Sequence, residues 1–373
     1  MLKLGIFFGG ESCEHDISII TALQVLENAD KSKYDVIPIY IRNGVWYTGE
    51  MDSVEFFKNF DKSKKKEIIL SGNQLYSKTK FGKFARYKKI DVAFIANHGG
   101  DGENGDLQGL LEVNGIAYTS CDVYSSALCM DKDKLKKRLE SSGYPTVAGV
   151  TLKRSEYNDK KSKSFVNAVR KLSYPLIVKP ATLGSSIGIT VAENRAQLNN
   201  ALTTAFCYDD KALIEKYIRR NSEYSCACCT GEDGNVIVSA IEKPLSKAAI
   251  LSFADKYSSG GKNDIKREMP AKIDYESASE IRDITRRLYE TLGLFGVVRI
   301  DYIYDEDERK LYVNEINTVP GSIAYYLFEE CGISFERLID MMTDAALKRY
   351  EEKNKNLKTY ISNVLEGNFE ISK

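Results

Sequence analysis

The apolar positions of this chain fall into two rhythms. Short unbroken runs, "KLGIFF" at 3–8, "KYDVIPIYI" at 33–41 and "KIDVAFIA" at 89–96, are bounded by polar residues. Runs of that length predict strands buried on both faces, as in a parallel α/β sheet. The first run stops at Gly9-Gly10, and a helical period over 17–26 follows it. Between the second and third runs, residues 58–89 are Lys-rich and read as a surface excursion whose charges form a solvated face. "GIAYTS" at 115–120 closes this first unit.

A second unit starts near Cys121, with a helix carrying "MDKDKLKKRLESSG" and a Pro-containing strand after it. "SYPLIVKPATLGSSIGITVAEN" at 173–194 then reads as strand, Gly/Ser turn, strand. A third unit opens at "KALIEKYI" and ends in a long polar helix over about 333–365. The expectation is an α/β (α+β) protein divided at 1–120, 121–214 and 215–373. A length of 373 residues suits two or three folding units.

Composition removes several classes. Lys+Arg and Asp+Glu balance at 53 each, so no basic face argues for nucleic acid. The apolar run in "MLKLGIFFGGESCEHD" is too short for a secretory signal, and no later segment approaches a membrane span. The 8 cysteines are scattered through a core-forming chain, which predicts reduced, mostly buried thiols and a cytoplasmic setting. "CACC" at 226–229 sits in an apolar strand, the chain has only 2 histidines, and the paired spacing of a zinc site is missing.

Five stretches carry chemistry. In "VVRIDYIYDEDERKLYVNEINT", alternation puts Arg299 and Asp301 on one face, and likewise Glu315 and Asn317. A hairpin centred near Glu308 sets Asp301 opposite Glu315 and Arg299 opposite Asn317. Three oxygen donors on one face suit magnesium, which takes a few carboxylates while phosphates supply the rest. A cross-strand Arg–carboxylate pair, worth roughly 0.2–1 kcal/mol, fits the same residues. In "VKPATLGSSIG", Lys179 ends a buried strand and Gly184-Ser185-Ser186 could bring backbone N–H groups against phosphate, or be a plain hairpin turn. It is not a Walker A loop. "LIEKYI" at 213–218 reads in isolation as a plain strand. "GGESCEHDIS" leads into a helix N-terminus, a site for an anion or polar substrate, and lacks the GxGxxG spacing of a dinucleotide fold. "NHGGDGENGDLQG" puts His98 at a strand end, in a ligand-facing or merely flexible loop. A further polar segment, "SFADKYSSGGKND", suits a lid.

Taken in order from Gly9 to about Phe328, these segments, with "MDK", "DKY", "RIDY" and "NEINTVPG", resemble the D-alanine–D-alanine ligases of the ATP-grasp superfamily. The C-terminal helix is extended relative to shorter members. The resemblance implies a three-domain ATP-grasp fold with an N-terminal parallel α/β (pre-ATP-grasp) domain, and ATP between the other two. It implies Lys132, Lys179 and Lys256 as ATP contacts, with Ser185 and Ser186 closing over the phosphates. Glu215, Lys216, Tyr217 and Ile218 would meet the adenine, and Glu223 the ribose. Asp301, Glu315 and Asn317 would carry two magnesium ions, or manganese in their place.

The implied reaction makes an acyl phosphate from a first amino acid and ATP, which a second amino acid's amine converts to an amide. Arg299 would stabilise the transferring phosphoryl group and the Gly321 N–H the tetrahedral oxyanion. Glu14 would hold the first ammonium, in a set with Ser185 and Tyr257. His98, Lys256, Tyr257, Arg299 and Gly321 would touch substrate. Tyr326 stands where family members carry a serine that binds the acceptor's carboxylate. It could serve through a shifted backbone, or the pocket could take another acceptor, such as D-serine. A nucleotide-binding regulatory protein without turnover is the alternative from another class. Against it stands the joint presence of Lys179, Arg299, Asp301, Glu315 and Asn317. The implied partners are amino acids and ATP, with neither nucleic acid nor membrane, and a homodimer through the N-terminal unit.

Overall fold

The computed structural model describes residues 1–158, 172–245, 267–357 and 359–360. Its strands form three sheets of eight, four and five strands. In the first, β1 (Leu2–Gly9), β2 (Tyr34–Arg42), β7 (Val92–Ile95) and β8 (Ala117–Tyr118) run parallel. These carry the continuous apolar runs, and Leu4, Ile6, Phe7, Phe8 and Phe94 are fully buried. The helix His15–Asn28 packs on β1, and the last helix, Phe335–Asn354, returns to pack on β7 and β8.

Residues 58–89 are not a simple excursion. With β3 (Val45–Thr48), the strands β4 (Lys66–Ser71), β5 (Gln74–Lys78) and β6 (Phe84–Lys89) extend the sheet antiparallel, in the order β6-β5-β4-β3-β2-β1-β7-β8. The strands are hidden in the sequence because charged residues sit on their solvated faces, pairing across them as Lys78 does with Glu67 at 2.8 Å.

The second sheet, ordered β11-β10-β12-β9, is antiparallel: β9 (Gly149–Lys153), β10 (Leu176–Pro180), β11 (Thr190–Ala192) and β12 (Lys211–Lys216). Leu152, Leu176, Val178, Leu198, Leu202 and Ile214 form its core. The expected boundary at 214/215 falls inside β12, because Glu215 and Lys216 still pair with β10. The third sheet is also antiparallel, ordered β15-β14-β13-β16-β17: β13 (Asn221–Thr230), β14 (Val236–Pro244), β15 (Arg267–Glu268), β16 (Val298–Asp305) and β17 (Lys310–Asn317).

"CACC" lies within β13, and strand alternation separates its thiols. Cys226 and Cys228 pack in the core beneath the helix Tyr275–Thr291, while Cys229 joins the N-terminal core. Burial pushes the Cys226 thiol up to about 11, as an inert apolar group requires. All eight cysteines are free, five of them buried. The helix expected over 333–365 ends at Asn354; the polar stretch that follows gives it no face to bury, and Leu357 is exposed. Residues 361–365 of that expectation lie outside the described residues. Among the described residues, no helix is long and apolar enough to cross a membrane.

Candidate active site

The hairpin of β16 and β17 has the register expected of it: Asp301 pairs with Glu315 and Arg299 with Asn317. One step further the register slips, so that Tyr302 pairs with Val313 and Asn314 becomes the extra residue of a bulge. The slip lets Asn314 line the same cleft as Glu315, where strict alternation would aim it away. The Arg299 guanidinium grips Asp301 through Nε at 2.7 Å and Nη2 at 2.8 Å. That pair lies along one strand rather than across two. Burial opposes the charge on Arg299, and Asp301 beside it outweighs burial. Asn317 Nδ2 donates to Asp301 Oδ2 at 2.9 Å, so its amide faces the carboxylate pair.

Lysines gather beside these carboxylates. Lys132 donates to the Leu183 carbonyl at 2.8 Å and lies 3.4 Å from Glu315, tying the Ser185 loop to the acidic strand. Lys179 is buried, 2.8 Å from Glu215 and 3.1 Å from Asn314 Oδ1. Glu215 also takes Lys136 at 2.6 Å. Burial alone would neutralise each partner; the opposite charges reverse that, raising the Lys179 ammonium and lowering the Glu215 carboxyl. The stretch that the resemblance sets against the adenine thus contains a side chain, Glu215, committed to two lysines. Lys216 points to solvent and pairs with Glu308 at 2.7 Å.

A second corner is built around Glu14, at the N-terminus of the helix His15–Asn28. Ser185 donates its hydroxyl to the Glu14 carboxylate, so the Gly/Ser loop closes on the N-terminal unit. A Cβ on Gly184 or Gly99 would come within 2.8 or 2.6 Å of Glu14 Oε2, and Gly99 is also left-handed, with φ of 63°. Ser185 and Ser186 are left-handed, with φ of 52° and 58°.

Between these corners runs a seam joining distant parts of the chain. His98 is buried, with Nδ1 2.7 Å from the Val319 carbonyl oxygen and Nε2 2.7 Å from Thr21 Oγ1. A carbonyl only accepts, so Nδ1 carries the ring proton, Nε2 accepts from Thr21, and Thr21 in turn accepts the Ser322 N–H at 3.0 Å. Glu103 accepts the amides of Thr318 and Val319 at 3.0 and 3.1 Å, and that of Gly99 at 3.1 Å. These pins hold a left-handed turn: Ser322, Ile323 and Ala324 have φ of 52°, 52° and 48°. Each such non-glycine residue costs on the order of 1 kcal/mol or more. Gly321 itself is not left-handed, and the turn after it is held by these hydrogen bonds.

The two tyrosines after it part company. Tyr325 stacks on Phe335 with centroids 4.4 Å apart and belongs to the core. Tyr326 donates its hydroxyl to Glu242 Oε1 at 2.9 Å, beneath the guanidinium of Arg267.

One cleft of about 1110 Å³ is lined by Glu14, His98, Lys132, Lys179, Ser185, Ser186, Glu215, Lys216, Tyr217, Ile218, Glu223, Arg299, Asp301, Glu315, Asn317, Gly321 and Tyr326. Lys256 and Tyr257 lie outside the described residues. Sequence reasoning did not single out Glu103, Asn314, Glu242 or Arg267. Glu242 carried the clearest signal, a charge inside the apolar strand "VIVSAIEKP". Among the described residues no three His, Cys, Asp or Glu side chains converge as a metal cluster; the oxygen donors here are two carboxylates and an amide.

Comparison with known proteins agrees with this architecture. Residues 3–121 match the family model "D-ala D-ala ligase N-terminus" and residues 139–344 "D-ala D-ala ligase C-terminus". The D-alanine–D-alanine ligase of Thermosipho melanesiensis is 38% identical over 95% of this chain and 96% of its own. That of Caldicellulosiruptor bescii is 37% identical over 94% and 97%. Among solved structures, the VanG D-Ala:D-Ser ligase from Enterococcus faecalis superposes with a TM-score of 0.78 at 29% identity, covering 92% of this chain and 99% of that one. The D-alanine–D-alanine ligase from Coxiella burnetii gives 0.77 at 26% identity, over 95% and 98%.

Proposed function

The chain belongs to the D-alanine–D-alanine ligase family, and from that premise we propose how its residues divide the work. It is an ATP-dependent ligase with the ATP-grasp fold, joining two D-alanines into the dipeptide used for peptidoglycan precursors. A carboxylate is a poor acyl donor; that of the first D-alanine attacks the γ-phosphate and releases ADP, and the amine of the second displaces phosphate from the resulting acyl phosphate to form the amide.

The observation that carries the assignment is the convergence of Lys179, Arg299, Asp301 and Glu315 in one cleft with the Glu14–Ser185 pair. Lys132 and Lys179 neutralise phosphate charge. An ammonium has three N–H donors; among the described residues Lys179 engages Glu215 and Asn314, which leaves one for a phosphate oxygen. Glu215 is the counterion that keeps the two buried lysines charged before nucleotide arrives. Lys216, Tyr217 and Ile218 meet the adenine, and Glu223 the ribose. Glu14 takes the first ammonium, and Ser185 fixes its orientation.

Two carboxylates and an amide oxygen suit hard divalent cations, so Asp301, Glu315 and Asn317 would hold magnesium or manganese. Such ions, when bound, offset charge on the phosphates. Arg299 stabilises the phosphoryl group in transfer. The amides of Ser322 and Ile323 are committed to Thr21 and Pro320, which supports Gly321 as the oxyanion donor that the family resemblance implies. The three sheets act as three units, the first supplying the donor corner and the other two gripping ATP.

The test mixes protein, ATP, magnesium and D-alanine, reading phosphate and product mass. Phosphate with D-alanyl-D-alanine is expected. Phosphate without dipeptide points to another acceptor, D-serine first; no phosphate with any amino acid supports a nucleotide-binding regulatory protein.

A further inference from the structure

Two amino acids enter this cleft, each bringing a carboxylate and an amine. The Glu14–Ser185 corner and the Arg299 wall account for the donor and its phosphorylation. A third corner in the same cleft has no role yet: Glu242 on β14, Arg267 on β15, and Tyr326.

Tyr326 spends its one hydroxyl proton on Glu242. Burial and the Glu242 charge hold the phenol above its ordinary value, so it stays protonated. What remains on that oxygen is lone pairs, which repel an acid. Arg299 gives Nε and Nη2 to Asp301, and the role proposed above commits the rest of its fork to the phosphoryl group.

Arg267 is differently placed. Its Cζ lies 4.3 Å from the Tyr326 ring centroid, so the guanidinium rests on the ring. Among the described residues its one ion pair is Nη1 to Glu242 at 3.3 Å. Tight charge-assisted bonds run to about 2.7–2.9 Å, so this one leaves the fork loosely held. The Arg267 side chain is 24% exposed and that of Glu242 7%, so the cation, not the acid, is at the cleft surface. A planar fork seated on a ring matches a carboxylate in shape and charge.

We propose that Arg267, stacked on Tyr326 and anchored by Glu242, recognises the acceptor's α-carboxylate and restricts the acceptor to free α-amino acids. This deepens the ligase reading above and rests on it. The tyrosine at 326 does not replace a serine donor; it builds the platform for a donor from another strand.

The experiment uses the full chain with D-alanine as donor and either D-alanine or D-alaninamide as acceptor, products read by mass. D-alaninamide has no carboxylate to phosphorylate, so it can enter only as acceptor. The wild type is expected to favour D-alanine. Arg267→Met keeps the packing on the ring and removes the fork. It should raise the acceptor KM for D-alanine about 10- to 100-fold. The donor KM and the KM for D-alaninamide should change little. Arg267→Lys, which keeps the charge, should fall between, and carries the test if the Met variant does not fold. Equal loss on both acceptors, or a preference unchanged in both variants, overturns the role of Arg267 and leaves the ligase reading standing. A wild type that forms neither product overturns the ligase reading itself.

Discussion

His98 and Glu103 grip one residue from two sides: His98 Nδ1 lies 2.7 Å from the Val319 carbonyl oxygen, and the Glu103 carboxylate accepts the Val319 amide at 3.1 Å. Both side chains come from the loop after β7, and Val319 follows β17 on another sheet. The contact sets where the turn at Gly321 stands relative to the loop after β7.

That seam predicts a pH signature. Burial holds His98 at about 4, below its ordinary 6.5. The unfolded chain binds this proton below 6.5 and the folded one does not until about 4, so the contribution of His98 is present above 6.5 and lost as pH falls. Burial and the Glu14 charge push Glu103 up to about 7 from 4.5, so the folded protein keeps a proton that the unfolded one has released. Stability from Glu103 therefore falls as pH rises from 4.5 to about 7. The two slopes oppose each other. Relative to wild type, Glu103→Gln should gain stability across that window, by up to roughly 3 kcal/mol, and His98→Gln should lose it. Melting temperatures between pH 4 and 8 read this directly; parallel curves for all three proteins would remove the assignment.

Glu315→Gln takes one of two carboxylates from the acidic face and the ion-pair partner of Lys132. Dipeptide formation should drop on the order of 100-fold or more, with a raised magnesium requirement. Turnover close to wild type at ordinary magnesium would sink the metal assignment.

Tyr326→Ser strips the platform from under Arg267 and the hydroxyl from Glu242. The acceptor KM should rise more than the donor KM. Equal effects on the two would place Tyr326 outside the acceptor pocket.

Glu215→Gln leaves Lys136 and Lys179 buried beside a neutral amide. Breaking a buried pair this way costs about 3–5 kcal/mol. Chemical denaturation should report that loss, together with a higher KM for ATP. A loss well under 1 kcal/mol would show that the lysines find other counterions.

Much of this was readable in the residues. Alternation alone paired Asp301 with Glu315 and Arg299 with Asn317, because an antiparallel hairpin with a short acidic tip has few registers. The bulge at Asn314 was not readable, since a one-residue slip leaves no mark in composition. Strands β4 to β6 were missed because their solvated faces dilute the apolar signal. His98 was placed at a strand end, and only the fold committed both of its nitrogens to Thr21 and Val319.

By itself the sequence determined two facing carboxylates on one hairpin and a lysine that ends a buried strand before a Gly/Ser loop, and through the family resemblance a tyrosine where a smaller donor was expected. Local periodicity and motif order encode these, because each depends on neighbours within one element or one hairpin. Only the tertiary structure decided that Tyr326 gives its proton to Glu242, that Arg267 lies on its ring, and that Glu103 reaches Val319. Those contacts join residues from about 60 to more than 200 positions apart, and no local pattern specifies which distant partner a buried polar group will find.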